Sequence, residues 1–478
     1  MKDFIFDFFN YAVFFYSSLL ILSFILFSIL SLRALRKRWN TYLRGYVREV
    51  IRKSPYTPGI SIIAPAYNEE TTIIDNVNSM LALDYPLFEV VIVNDGSTDS
   101  TLQKMIEYYR LVEVPYAYME RIKTKPYRRM FRSTLPRYKQ LTLVDKENGG
   151  TKADASNAGI NTAQYPYFIC TDVDCILNTN ALYDCIWPII SSDNRKQVIA
   201  VSGTMLMGNG CIVNKGQMEQ VRMPRTPIPL FQQLEYMRSF LIGKMGWSAL
   251  NGIPNVSGGF GLFDRSVAIA AGGYDGTSFA EDMDLITRMV GYMCDFNLPY
   301  RIVQVPDTCC WTEGPPGLRM LQRQRTRWAR GLIQTLAIHH KMIFNKKYRQ
   351  TGLLTLPYIV VFEFLAPIIE CSGFLTFLYL AFTNGINWHT AWLILLSVYG
   401  FCQLLTLIII VFDYYVGMRY STVREYGLLM LASLLEPFIY HPFLTFFSLK
   451  GYTNYLVAHD FKWKKMERAG FKHNIKKS

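Results

Sequence analysis

The chain has 478 residues, of which 50% are hydrophobic, 15% aromatic and 18% charged, with a formal net charge of +13. A positive mean hydropathy alongside so much charge argues against a purely soluble protein and for membrane segments sharing the chain with a charged domain, and the length leaves room for two or three domains. The nine cysteines show no CxxC pair and no zinc-finger spacing, and Cys170, Cys175, Cys309 and Cys310 fit reduced thiols facing a cytosol.

In chain order, Tyr11 to Ser31 is an uninterrupted apolar stretch of roughly 20 residues, enough to cross a bilayer and longer than a signal-peptide core. Arg33, Arg36, Lys37, Arg38, Arg44, Arg48, Arg52 and Lys53 follow it. The positive-inside rule then sets the N-terminus outside and the following chain in the cytosol, with the basic segment lying along the headgroups. Residues 1–35 are read as a transmembrane helix and 36–58 as a basic juxtamembrane linker.

Beyond Pro55 and Pro58 the pattern changes to strands alternating with helices. Ile60 to Ala64 and Glu89 to Val93 read as strands, Thr71 to Leu83 as the helix between them, and Asp95-Gly96-Ser97-Thr98-Asp99 as a turn and helix cap. This βαβ order predicts an α/β domain with a mostly parallel sheet and right-handed crossovers, and it brings the polar loops Pro65 to Glu69 and Asn94 to Gly96 to one sheet edge. Tyr108 to Lys139 is a basic, aromatic insert carrying Lys123, Lys125, Arg128, Arg129, Arg132 and Arg137. Lacking regular periodicity, it fits a solvated or lipid-facing excursion better than a dedicated substrate site. The alternation resumes with Leu141 to Val144, the turn Asn148 to Lys152 and a helix containing Asn157.

The stretch Tyr167 to Cys175 organises the rest. An apolar run that reads as a buried strand ends in Asp172 and Asp174. Carboxylates at i and i+2 project to the same side of an extended chain, so both can face one divalent cation, which can carry a diphosphate. By itself the pattern fits a solvated turn equally well. Ala181 to Ile190 is amphipathic, Val198 to Val201 reads as a strand, and Phe231 to Leu250 as a mainly helical block. In Ser257-Gly258-Gly259-Phe260-Gly261 the small residues let another molecule approach the backbone. Glu281-Asp282-Met283-Asp284 opens a helix, where the dipole favours acids, and an ordinary acidic cap accounts for it in isolation. In the basic helix Arg319 to Gly331, Gln324, Arg327 and Trp328 at i, i+3 and i+4 share one face. The competing reading is a lipid-facing amphipathic helix bearing Arg319, Arg323, Arg325 and Arg330.

The remainder is membrane-like. Leu354 to Phe382 is interrupted by Pro367 and carries Glu363 and Glu370, costly charges that should face protein or a wet channel. Ala391 to Phe412 reads as a second span, and Tyr426 to Ser448, with Glu436, Pro437 and Pro442, as a candidate third. Lys450, Lys462, Lys464, Lys465, Arg468 and Lys472 favour a cytosolic C-terminus, which requires an even number of crossings after the cytosolic domain. Two full spans plus a proline-broken segment that re-enters or folds into a hairpin satisfy this. The expected divisions are 59–318 for the cytosolic domain, 319–350 for interfacial helices, 351–449 for the transmembrane region and 450–478 for a basic cytosolic tail.

Four motifs stand in order within the βαβ frame and between membrane segments: the Asp95 loop, Asp172-x-Asp174, Glu281-Asp282 and Gln324-x-x-Arg327-Trp328. On these, over Ile60 to about Gly331, the chain resembles the membrane-integrated family 2 glycosyltransferases, the inverting class that includes cellulose, hyaluronan and poly-N-acetylglucosamine synthases. The resemblance implies a GT-A domain, the nucleotide-diphospho-sugar transferase fold, on the cytosolic side of the cell inner membrane and flanked by α-helical transmembrane segments. It implies that Asn68, Glu69 and Asp95 line the nucleotide site, with Lys152 near the phosphates, Asp172 facing the nucleotide sugar and Asp174 ligating Mg²⁺ or Mn²⁺. Asp282 would be the general base, Gln324 and Arg327 would meet the donor, and Glu281, Gly258, Gly259 and Trp328 the acceptor. The implied partners are a UDP-sugar, a polysaccharide or glycolipid acceptor, membrane lipid and other exopolysaccharide-system subunits, with no nucleic acid.

The pattern also departs from the family, since Ser257-Gly258-Gly259-Phe260 stands where the cellulose and hyaluronan enzymes carry a cysteine-containing acceptor loop. Three functions follow for comparison: processive β-glycosyl transfer with export beside Glu363 and Glu370, transfer of one sugar to a lipid or short glycan, and a catalytically silent nucleotide-binding scaffold. The joint presence of the four motifs argues against the scaffold.

Overall fold

The structure, a computed structural model, describes residues 2–38, 41–115, 118–172, 175–192, 195–214, 216–420 and 422–457. The apolar N-terminus and the linker after it are helices α1 (Lys2–Arg38) and α2 (Thr41–Lys53). The first βαβ unit comprises β1 (Ile60–Ala66), α3 (Ile73–Leu81), β2 (Phe88–Asp95) and α4 (Thr101–Tyr109). Every residue of β2 and all but one of β1 are buried, as expected of parallel strands covered on both faces. There follow β3 (Leu111–Glu113), β4 (Tyr127–Ser133), β5 (Leu141–Lys146), α5 (Lys152–Thr162), β6 (Tyr167–Thr171), β7 (Ile176–Leu177), α6 (Ala181–Ile190) and β8 (Gln197–Met207). A small antiparallel pair, β9 (Ile212–Asn214) and β10 (Gln217–Gln220), stands apart from the main sheet. Helix α7 (Pro227–Arg238) then runs through a π-turn, Ser239–Lys244, into α8 (Met245–Ala249), and β11 (Phe260–Asp264), α9 (Arg265–Ala270), α10 (Glu281–Asp295) and β12 (Tyr300–Thr312) complete the domain.

Ten strands form one sheet in the order β3-β4-β5-β2-β1-β6-β11-β8-β12-β7. The expected parallel arrangement holds for β5, β2, β1 and β6 and for β8 with β12. Strand β11 runs antiparallel between β6 and β8. Its first residue, Phe260, lies opposite Thr171, the last residue of β6. The glycine-rich loop therefore enters the sheet beside the carboxyl end of β6, and the strand must run back.

The basic insert is not the excursion its sequence suggested. Its β4 extends the sheet, pairing antiparallel with β5 from Tyr127 opposite Lys146 to Arg132 opposite Thr142. A register shift between Tyr127 and Arg129 breaks the alternation, and the consecutive Met130 and Phe131 are both buried, so the period of two is hidden. The linker helix also departs from expectation. Ile51 is buried, while Arg48 pairs with Asp184 at 3.3 Å and Arg52 with Asp84 at 2.5 Å, so the α/β domain supplies counter-charges to a segment expected along the headgroups.

Helix α5 lies flush on the sheet because its inner face is small. Ala153, Ala155, Ala158 and Gly159 are buried, and the Thr151 hydroxyl accepts from the Asp154 N–H at the helix start. A Cβ on Gly159 would sit 2.2 Å from Ile63 Cγ2 on β1.

After the sheet come α11 (Leu318–Ile338), then α12 (Leu356–Ile359) and α13 (Ala366–Phe382) within one continuous apolar helical stretch, then α14 (Trp388–Val416), α15 (Val423–Ile439) and α16 (His441–Leu456). Among the described residues, Tyr11–Lys37, Thr351–Phe382 and Trp388–Val416 are long and apolar enough to cross a membrane. Helices α15 and α16 meet at a bend of 50°, so the proline-broken segment does not fold back as a hairpin. It is tied along its length to the α/β domain and to α11: Glu425 accepts from the Met223 N–H, Glu436 pairs with Arg238 at 2.5 Å, the Tyr440 hydroxyl donates to Glu235, and Thr326 of α11 donates to the Phe447 carbonyl. At Gly451 the backbone of α16 approaches α11 so closely that a Cβ would lie 2.6 Å from that of Ala329. Glu370 accepts from His441 and Thr445 of α16, whereas Glu363 opens into the cleft described below. The tail's Lys462, Lys464, Lys465, Arg468 and Lys472 lie outside the described residues.

Helices α10 and α11 are joined by Asp284, whose buried carboxylate meets Arg288 at 2.7 Å and His339 at 2.8 Å. Burial raises its pKa, but the hydrogen bond from His339 and the Arg288 charge outweigh this and hold it below the ordinary carboxylate range.

Two outcomes are expected. Gly159→Ala should destabilise the full chain by about 1–3 kcal/mol through overpacking, with part of the loss recovered by Ile63→Ala in the same chain; equal melting of both variants in detergent would remove the close-approach argument. A depressed carboxylate contributes stability above its unfolded pKa and loses it as pH falls through the folded value. Asp284→Asn should therefore lower the melting temperature near neutral pH, and its gap to wild type should shrink below about pH 4, checked by melts across a pH series.

Candidate active site

The carboxyl ends of β1, β2 and β6 and the N-termini of α5 and α10 open on one cleft of about 1410 Å³, which continues to the membrane helices. This is where open α/β sheets present ligand-binding groups. Asn68, Glu69, Asp95, Lys152, Asp172, Gly258, Gly259, Glu281, Asp282, Gln324, Arg327 and Trp328 all line it. Asp174 lies outside the described residues.

At the sheet end, Asn68 has a left-handed φ of 56°, and its amide exchanges hydrogen bonds with Thr98, accepting from the backbone N–H at 2.8 Å and donating to the hydroxyl at 3.2 Å. It braces the loop after β1 against the loop after β2. Glu69 accepts from the Thr72 hydroxyl at 3.1 Å. Asp95 closes β2, and its carboxylate accepts from the Gly149 N–H at 3.0 Å and from Lys146 Nζ at 2.8 Å. Lys146 was not among the residues assigned a role from sequence. It is fully buried, and its three N–H groups have three acceptors, Asp95, Asp154 at 2.5 Å and the Glu147 carbonyl at 2.5 Å. A lysine closing a strand gives no sequence sign that it is enclosed; only the turn following it hints at a tight loop.

In the middle of the cleft a continuous chain of polar contacts joins two of the motifs. Lys152 pairs with Asp172 at 2.7 Å and donates to the Gly258 carbonyl at 2.8 Å. The Gly258 N–H donates to Asp282 Oδ2 at 3.0 Å, and the Met283 N–H holds Oδ1 at 2.9 Å. Burial works to lower the Lys152 pKa, but the Asp172 carboxylate beside it raises it above the ordinary lysine value. The glycine loop is thus a connector whose peptide links a lysine to an aspartate. Glu281 points into the same space, 4.0 Å from Arg327. Burial, first of all, pushes its carboxyl above the usual range despite the pull of Arg327. Asp284, the last acid of that motif, belongs instead to the α10–α11 joint.

On α11 the i, i+3, i+4 face turns to the cleft as expected, with qualifications. The Gln324 amide oxygen accepts from Gln232 at 2.9 Å, and Arg327 donates to the Phe279 carbonyl at 3.4 Å. One face of Trp328 is covered by the Arg325 guanidinium, 4.5 Å from the ring centroid, so a ligand in the cleft cannot use that face. Arg325 and Arg330 do not face lipid. Arg325 forms a two-point pair with Glu235 at 2.7 and 2.5 Å, and Arg330 stacks 4.4 Å over Phe279. Both are buried, because α7 and the α9–α10 loop cover the helix on the side that sequence alone leaves open.

At the membrane end the cleft is lined by Lys244, Glu363, Ser448 and Tyr452. Burial pulls the Lys244 pKa down to about 8, with Asp282 and Glu363 acting against it. Among the described residues no group of three or more His, Cys, Asp and Glu side chains could hold a metal ion. Asp172 does present a partly exposed carboxylate to the cleft. Mg²⁺ or Mn²⁺ arriving with a diphosphate keeps waters and takes phosphate oxygens, so it needs only one or two protein carboxylates. The donor set fits a cation of that kind.

Known proteins bear on this geometry. The model of "Glycosyl transferase family 2" matches residues 61–268 and that of "Glycosyl transferase family group 2" matches residues 210–416. The chain is 26% identical over 336 residues to a poly-beta-1,6-N-acetyl-D-glucosamine synthase of Staphylococcus epidermidis, covering 69% of each. To the Staphylococcus aureus protein of the same name it is 27% identical over 337 residues, covering 69% of this chain and 67% of the relative. Among solved structures, a mannosyltransferase from Pyrobaculum calidifontis in complex with GDP-Man and Mn²⁺ aligns with 86% of this chain and 98% of its own, at 19% identity and a TM-score of 0.49. The mixed sheet with its parallel core is that of a GT-A domain. With the two family models together running from residue 61 to residue 416, the chain belongs to the family 2 glycosyltransferases.

Proposed function

We propose that the chain is an inverting hexosyltransferase that extends a polysaccharide from a UDP-sugar at the cytosolic face of the cell inner membrane. The observation that supports this best is the course of the cleft, which runs from the nucleotide-side loops past Asp282, with both carboxylate oxygens held by backbone N–H groups, to the membrane helices. Similarity to poly-beta-1,6-N-acetyl-D-glucosamine synthases makes UDP-N-acetylglucosamine the first donor to test.

In this reading Asn68, Glu69 and Asp95 flank the nucleotide, Asp95 being the group that meets the base. Lys152 and Arg327 meet the diphosphate, Arg327 with a planar fork suited to two-point phosphate contact. Asp174, with Asp172 beside it facing the nucleotide sugar, would hold a Mg²⁺ or Mn²⁺, which would supply positive charge against that of the departing UDP. Asp282 takes the proton of the acceptor hydroxyl as its oxygen attacks the anomeric carbon opposite the leaving group. Displacement from that side inverts the configuration and gives a β-linkage from an α-linked donor. Glu281 and Trp328 bound the acceptor side, and Gly258 and Gly259 allow the acceptor to approach the backbone. Continuation of the cleft to Glu363 and Tyr452 favours a product that leaves toward the membrane, hence processive synthesis coupled to export. The same opening favours, as a second reading, transfer of one sugar to a lipid-linked acceptor.

Purified full-length protein in lipid vesicles should release UDP from one member of a UDP-sugar panel, and Asp282→Asn should lower that rate by about 10²–10⁴-fold while UDP still binds. Chelation with EDTA should abolish release and added Mg²⁺ or Mn²⁺ should restore it; turnover that persists in the chelator removes the metal assignment. Product size separates the two readings: long chains at low substrate conversion indicate processive transfer, and single-sugar products indicate the second.

A further inference from the structure

One charged side chain in the cleft has no place in the motifs or in the mechanism above. Lys244 ends the π-turn between α7 and α8, lines the cleft beyond Asp282 and is only 7% exposed. Among the described residues no acceptor lies within hydrogen-bond or ion-pair distance of its ammonium, which sits over the Phe240 ring, 4.7 Å from the centroid. A lysine that merely braced the fold would be tied as Lys146 is, with an acceptor for every N–H. The ammonium reaches the open cleft, so its three N–H groups are available to whatever enters it.

The surroundings narrow the ligand. The carboxylates acting on Lys244 are Asp282, at the start of α10, and Glu363, in the π-turn ahead of α13. Glu363 likewise has no side-chain hydrogen-bond partner among the described residues, and it lines the same end of the cleft. A diphosphate placed here would meet both carboxylates, whereas the Lys152 and Arg327 side of the cleft offers cations to it. A neutral, polyhydroxylated ligand suits the arrangement: the ammonium donates to its oxygens, and the carboxylate accepts from its hydroxyl groups.

We propose that Lys244, with Glu363, binds the terminal sugar of the acceptor and so positions the acceptor hydroxyl at Asp282. This assignment rests on the glycosyl-transfer reading given above. Lys244 is on this view a determinant of acceptor affinity and not of donor affinity. Its sequence surroundings, Leu241-Ile242-Gly243-Lys244-Met245, carry no motif, so only the fold brings it to the site.

The test uses the full-length chain in vesicles with saturating UDP-N-acetylglucosamine, a divalent cation and a titrated N-acetylglucosamine oligosaccharide as acceptor, comparing wild type with Lys244→Met, Lys244→Arg and Glu363→Gln. UDP affinity is measured separately by calorimetry. Lys244→Met should raise the acceptor KM by about tenfold or more, the loss of one charge-assisted contact, with UDP affinity within about twofold of wild type, and Lys244→Arg should recover part of the loss. An unchanged acceptor KM in Lys244→Met overturns the assignment. So does a parallel loss of UDP affinity in both Lys244→Met and Lys244→Arg, which marks a structural role. Wild-type protein that turns over no donor removes the glycosyl-transfer reading and this assignment with it, while an active wild type with unaltered variants removes this assignment alone.

Discussion

The site rests on a single buried cation. Lys146 closes β5 with no exposed surface and ties Asp95, at the end of β2, to Asp154, in the first turn of α5. Removing the ammonium would leave two carboxylates facing each other in a low-dielectric setting, which is far costlier than losing an exposed pair. The arrangement also has a directional consequence. Asp154 lies two residues from Lys152, so the group that sets the Asp95 loop sets the helix from which Lys152 reaches Asp172 and Gly258. Loop and helix are therefore positioned together, and the Gly258 peptide carries that positioning on to Asp282.

The far wall of the cleft depends on a second set of buried charges, between the α/β domain and the helices after it. Arg325 joins α11 to Glu235 on α7 and to the Tyr440 hydroxyl at the bend between α15 and α16. Arg238 reaches Glu436, Thr406 and Ser433, and the Arg419 guanidinium binds Asp413, Thr308 and the Pro306 carbonyl. Each guanidinium spans two or more elements, as a planar fork of donors can. The result is a polar seam along which the bent pair lies on α7 and α11, and through which Ser448 and Tyr452 of α16 come to line the same cleft as Asp95. Helix α16 and the Asp282 carboxylate thus share one cavity.

Particular elements separate what could be read from the chain alone from what could not. Strands β1, β2 and β6 are continuous apolar runs ending in polar loops, and no competing element explains them. Helix α11 announces its cleft face by the i, i+3, i+4 spacing of Gln324, Arg327 and Trp328. Strand β4 was illegible because both of its faces are covered, so that the consecutive Met130 and Phe131 enter different cores, and a register shift between Tyr127 and Arg129 interrupts what alternation remains. The destination of the basic residues was illegible too. Arg48, Arg52, Arg325 and Arg330 suited lipid headgroups by composition, yet their partners are Asp184, Asp84, Glu235 and Phe279, remote in sequence.

The sequence by itself determined the order of elements, the α/β class, the apolar segments and the ordered set of motifs, because periodicity, turn chemistry and residue type are local properties. Tertiary structure alone decided which charges are enclosed and by what. Lys146 and Lys244 are both buried lysines lining or supporting one cleft, one with every donor filled and the other with none among the described residues. The fold sets the difference: it brings Asp95, 51 residues away, to Lys146 alongside the nearby Glu147 and Asp154, and the strength of an electrostatic contact depends on distance and dielectric in space and not on spacing along the chain.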